Sequence, residues 1–108
     1  MHFERGKIAG FYGTWQSGLA TLLISGADGR THGYACDNGC TARSLRDAFG
    51  DSVIGAGHTL NQSAFVGQEI VYWMASFGLI IGGFVPIADW QAEGYPEVPP
   101  GGLELEVG

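Results

Sequence analysis

The alternation of apolar and polar positions divides the chain into short β-type runs around one helical stretch. Residues 7–15 (KIAGFYGTW) bring together Ile8, Phe11, Tyr12 and Trp15 and predict a first strand. Gly10 and Gly13 inside it predict a bend or bulge. After a turn at Gln16-Ser17-Gly18, residues 19–25 (LATLLIS) predict a second strand, with Leu22 and Ile24 on one face and Leu19 and Leu23 on the other. Apolar residues on both faces predict burial on both sides. Gly26-Ala27-Asp28-Gly29 carries an Asp-Gly hairpin signal, since both residue types tolerate positive φ. Residues 30–36 (RTHGYAC) return as a third strand, in which His32, Tyr34 and Cys36 share one face.

The period then changes. Over residues 41–49, Ala42, Leu45, Ala48 and Phe49 fall on one helical stripe, Thr41 is placed to cap and Gly50 to stop the helix. Residues 51–67 are mixed, with a short apolar pair at Val53-Ile54. Residues 68–75 (QEIVYWMA) and 79–85 (LIIGGFV) predict a final hairpin joined at Ser76-Phe77-Gly78. From residue 87 onward the chain holds three of its four prolines and five acids, which predicts an extended or flexible tail. Leu103-Glu104-Leu105-Glu106-Val107 alternates and is able to add as an edge strand. The expected organisation is a single barrel domain over 1–86 followed by an acidic, Pro- and Gly-containing tail over 87–108.

Strand, strand, strand, helix, strand, strand is the chain order of an OB-fold barrel. The opening Gly6-Lys7-Ile8 with Phe11, and Gly67-Gln68-Glu69-Ile70-Val71 before the last hairpin, resemble the cold-shock domain. The element order predicts a mainly β, OB-like barrel of about five strands with one short helix between the third and fourth, and the resemblance implies a nucleic-acid ligand. An SH3-like barrel is the competing architecture. The second strand departs from the cold-shock pattern, having neither stacking aromatics nor lysines. A barrel followed by an acidic tail is also similar to the layout of bacterial single-stranded-DNA-binding proteins, although the tail here lacks their Asp-rich, Phe-terminated ending.

Composition adds bounds. At 108 residues, 45% hydrophobic and 15% charged, the chain has room for one packed domain. Charge is unevenly placed: residues 1–46 hold all five bases against three acids, whereas residues 47–108 hold eight acids and no Lys or Arg. The net charge of −6 disfavours generic binding to polyanions. Residues 70–88 are an uncharged run of nineteen, near the length of a membrane span, but their glycines, Pro86 and acidic flanks favour two buried strands and no membrane insertion. No secretory signal is evident, so the two cysteines are read as reduced thiols in preference to a disulfide between Cys36 and Cys40, and the location as cytoplasmic.

Candidate chemistry is sparse. His32, Cys36 and Cys40 with His58 form one conceivable zinc set, but a second tight ligand pair is lacking, and no metal or other cofactor is expected. Cys40 before a helix start suggests a reactive thiol, a pairing that two cysteines and three histidines also produce by chance. Gly-Leu-Ile-Ile-Gly-Gly lacks the Lys-Ser/Thr ending of a phosphate cradle, so strand curvature explains its glycines better. No catalytic residue is assigned and no enzyme is expected. The main candidate is a ligand-binding strip of Lys7, Tyr12, Trp15, Arg30, His32 and Tyr34, with Arg5 beside it: cations for phosphates and rings for base stacking. The expected function is a binding module for single-stranded nucleic acid on strands one to three. The alternative is a protein-interaction module whose acidic second half, with Asp89, Glu93 and Glu97, meets a basic partner or mimics a polyanion, and a small thiol- or zinc-dependent enzyme ranks third. Exposed strand edges and the apolar last hairpin add the expectation of a homodimer.

Overall fold

The computed structural model describes residues 1–13, 20–36, 40–75 and 80–106. Trp15, both predicted turns at 16–18 and 76–78, and Leu19 lie outside the described residues. The strands are β1 (His2–Tyr12), β2 (Ala20–Gly26), β3 (Thr31–Cys36), β4 (Glu69–Met74), β5 (Ile80–Pro86) and the short β6 (Leu103–Glu104). Helix α1 (Ala42–Phe49) lies between β3 and β4, and α2 (Ile87–Ala92) follows β5 directly.

The strands close a ring. β1 pairs antiparallel with β2 and β4, β2 with β3, and β4 with β5, while β3 and β5 run parallel at Ala35↔Ile80 and Cys36↔Ile81. Around the ring the order is β1-β2-β3-β5-β4 and back to β1, with β6 attached to β1 at Phe3↔Leu103. The fold is thus mainly β, with a five-stranded ring and one short helix between β3 and β4. β1 begins at His2 because His2 and Phe3 pair with Glu104 and Leu103, and Glu4 and Arg5 find partners in Tyr72 and Val71. Its pairing with β2 slips between Ile8 and Gly10, the bend expected from the glycines.

Inside the ring, Ile8, Phe11, Leu22, Ile24, Ile70 and Ile81 pack with Leu45 of α1 and Phe65, each 0–1% exposed. Helix α1 is built as its sequence predicts. Thr41 Oγ1 accepts from the Ser44 N–H at 3.1 Å, the Thr41 N–H donates to Ser44 Oγ at 3.2 Å, and Gly50 at φ 98° ends the last turn. β2 differs in part: Leu22 and Ile24 are buried, whereas Leu23 on the outer face is only half-buried.

A second apolar cluster lies outside the ring, where Phe3, Val71, Trp90 and Val98 are buried together against Trp73, Val85, Ile87, Leu103 and Leu105. This corrects the expectation of an extended or flexible segment after residue 87. The outer face of β4 and β5 is apolar, and covering it stabilises by roughly 1.5–3 kcal/mol for each large side chain removed from water. Trp90, Val98, Leu103 and Leu105 supply that cover despite the acids and prolines between them. The apolar hairpin face on which the homodimer expectation relies is therefore occupied by the chain's own residues. Strand curvature is also not the main account of Gly83, since a Cβ there would run into the ring of Trp73. Among the described residues no helix is long and apolar enough to cross a membrane.

Candidate functional site

Period-two alternation decides where the predicted strip goes. Lys7 opposes Ser25, while the next residue, Ile8, opposes Ile24, which in turn opposes His32. Lys7 therefore points away from the ring interior, and His32 and Tyr34 share the inward face. The candidate strip is split between the two faces of the wall. Lys7 is exposed and lines a hollow of about 420 Å³ with Glu4, Arg5, Glu69 and Glu97. Arg5 there is committed to Glu69, with Nε and Nη2 donating to Oε2 at 2.9 and 2.5 Å, and lies 3.6 Å from Glu97. Tyr12 is 66% exposed at the far end of β1. Arg30 is exposed in the β2–β3 turn, where its backbone N–H donates to Asp28 Oδ1 at 2.9 Å.

His32 and Tyr34 do come together, with ring centres 6.2 Å apart, and Tyr34 lies 5.8 Å from Tyr72. They line one mouth of the ring, a hollow of about 360 Å³ that also contains His2, Glu4 and Asp28. Its chemistry differs from a phosphate site, because carboxylates face the cations. His32 Nε2 is 3.2 Å from Asp28 Oδ2. The Arg30 N–H, then His32, hold the Asp28 carboxyl below its usual range. Burial, then the hydrogen bond with Tyr34, push the Tyr72 hydroxyl well above the usual phenol range. His2 lies between Glu4 Oε1 at 2.7 Å and Glu104 Oε1 at 2.5 Å, and those bonds, Glu4 first, hold its imidazole above the ordinary value.

The cysteine reading is also corrected. Cys36 at the end of β3 and Cys40 before α1 are joined as a disulfide, their Cα atoms 5.1 Å apart and within bridging reach. Neither sulfur is then a thiol nucleophile or a zinc ligand, and among the described residues no three His, Cys, Asp or Glu are grouped to hold a metal. A disulfide persists in oxidising surroundings, so reduced cysteines no longer support a cytosolic placement.

The sequence reading missed a third hollow, of about 490 Å³, on the outer side of β4. Phe3 and Trp73 form its floor with Trp90, at centroid distances of 5.7 Å (Phe3–Trp73) and 5.0 Å (Phe3–Trp90). Tyr95 stacks on Trp90 at 4.5 Å. Asp89, Ala92 and Glu93 line one side. Their spacing of three and four puts them on one face of α2 as it turns into its C-terminal cap at Glu93. Among the described residues no Lys or Arg lines this hollow, although Met1 does. The available signal was the pair Trp90 and Tyr95, large rings inside a segment otherwise read as solvated. No known protein family, characterised protein or solved structure matches this chain.

Proposed function

We propose that this protein is a non-enzymatic binding module whose acidic second half recognises a basic protein partner. The observation that carries this reading is the aromatic hollow with Asp89 and Glu93 on its edge and no Lys or Arg among its lining residues. An apolar floor supplies contact area, and the two carboxylates select against anionic partners and steer cationic ones. The uneven charge of the chain acts in the same direction, since residues 47–108 carry eight acids and no Lys or Arg. The test is fluorescence anisotropy of a labelled Lys/Arg-rich peptide at low and moderate salt. Salt-sensitive binding is expected, and it is lost on combined Asp89→Asn, Glu93→Gln and Glu97→Gln substitution with the circular dichroism spectrum unchanged. Equal binding by wild type and the neutralised variant overturns the reading.

A second reading follows from the strand order. The ring β1-β2-β3-β5-β4 with its parallel β3–β5 closure supports an OB-like barrel, a fold that binds single strands over strands two and three. Lys7 and Tyr12 are exposed on the outer side of β1. The adjoining outer positions of β2 and β3 are Thr21, Leu23, Ser25, Thr31, Gly33 and Ala35, which offer no ring or cation. That composition ranks nucleic acid below a basic protein partner. A labelled single strand that binds at low salt, and weakens with Lys7→Ala, reverses the ranking.

A further inference from the structure

We infer that the hollow on the outer side of β4 is a receptor for an arginine side chain. The inference rests on the reading of the acidic second half as the partner-binding region and names what that region grips.

The rings around the hollow are held in place. The Trp90 indole N–H donates to the Pro96 carbonyl at 2.7 Å, which satisfies its one polar atom and fixes its plane. Trp73 lies over Gly82 and Gly83, where no Cβ intrudes. Phe3 and Trp90 are buried, each 5% exposed, so they form a floor; Trp73 is half-buried, and Tyr95 is 42% exposed. The ring surface open to a ligand therefore belongs to Trp73 and Tyr95, with the carboxylates of Asp89 and Glu93 beside it. Met1 also lines the hollow, and its ammonium donates to the Leu105 carbonyl at 2.9 Å and lies 3.9 Å from Glu104.

An apolar ligand satisfies the rings and wastes the acids, whereas a simple ammonium satisfies the acids but sheds its water reluctantly against rings. A guanidinium does both: its plane stacks on an aromatic face and its edge forks onto a carboxylate. The methylene stem behind it covers apolar wall. The preformed rings reduce the ordering that binding requires.

The experiment compares short Gly/Ser peptides that carry either arginines or lysines at the same positions, titrated against the intact protein and followed by tryptophan fluorescence and anisotropy. The arginine peptide is expected to bind at least about fivefold more tightly and to perturb the tryptophan emission. Tyr95→Ala is expected to reduce that preference while salt-sensitive binding of both peptides persists. Equal affinity of wild type for the two peptides, with binding still abolished by Asp89→Asn and Glu93→Gln, overturns the arginine site and leaves the basic-partner reading standing. Absence of binding by either peptide overturns both.

Discussion

The side-chain amide of Gln62 pairs with the backbone of Phe11 as a neighbouring strand would: its Nε2 donates to the Phe11 carbonyl at 2.8 Å and its Oε1 accepts from the Phe11 N–H at 3.1 Å. β1 outlasts β4 at this end. Ile8 still meets the chain through Gly67 and Gln68, but Phe11 has moved beyond the last β4 partner, Glu69. Gln62, from a 3₁₀ turn at Gln62–Ala64, completes the ladder. Gln62→Ala leaves both Phe11 groups without these partners beside a fully buried ring, and is expected to cost about 1–3 kcal/mol. Urea unfolding measures it; an unchanged midpoint would mean that water replaces the amide without loss.

Packing of residues 87–106 on the ring makes Trp90 a core residue. Trp90→Ala is expected to destabilise by about 3–5 kcal/mol, the usual cost of removing a large buried aromatic. Trp90→Phe keeps most of the apolar contact but loses the bond to Pro96, and is expected to cost about 1 kcal/mol. If both variants unfold with wild type, the segment contributes nothing to stability and the second cluster is wrong.

His2 joins β1 and β6 through Glu4 and Glu104, with the Met1 ammonium 3.9 Å from Glu104. The protonated ring donates from both nitrogens, while the neutral ring has only one N–H to offer. Because the folded-state pKa is raised, this contribution is fully present below the ordinary histidine value of about 6.5 and is lost as pH rises through the folded value. The melting temperature of wild type should therefore fall over that window relative to His2→Gln. Parallel pH profiles for the two proteins would remove the proposed link.

The Cys36–Cys40 bridge closes a very short loop. Its chain-entropy contribution is about 2 kcal/mol for a ring of that size. Thiol titration of the unreduced, unfolded protein should find no reactive cysteine, and a reducing agent should lower the unfolding free energy by about that amount. Two titratable thiols in the unreduced protein would restore the expectation of free cysteines.

The helix over residues 41–49 was legible in full, since its stripe, its Thr41 cap and its Gly50 stop all act within a few residues along the chain. The strand succession was legible for the same reason, and so was the option of an edge strand near Leu103. The binding strip was not. His32 and Tyr34 were correctly placed on one face of β3, but relating them to Lys7 required the register of β1 on β2, which is set between strands.

Local period and capping determined the elements and their order, and the uneven distribution of charge, with eight acids and no Lys or Arg over residues 47–108, is set by the sequence alone. Only the tertiary structure decided that Phe3, Trp73 and Trp90 meet in one wall, because they belong to three elements far apart in sequence. It also decided that an acidic, proline-containing segment packs instead of remaining solvated. Average composition describes the acids that face water, whereas the fate of the segment follows from the few side chains, Trp90 and Val98 foremost, that fit the apolar surface left outside the closed ring.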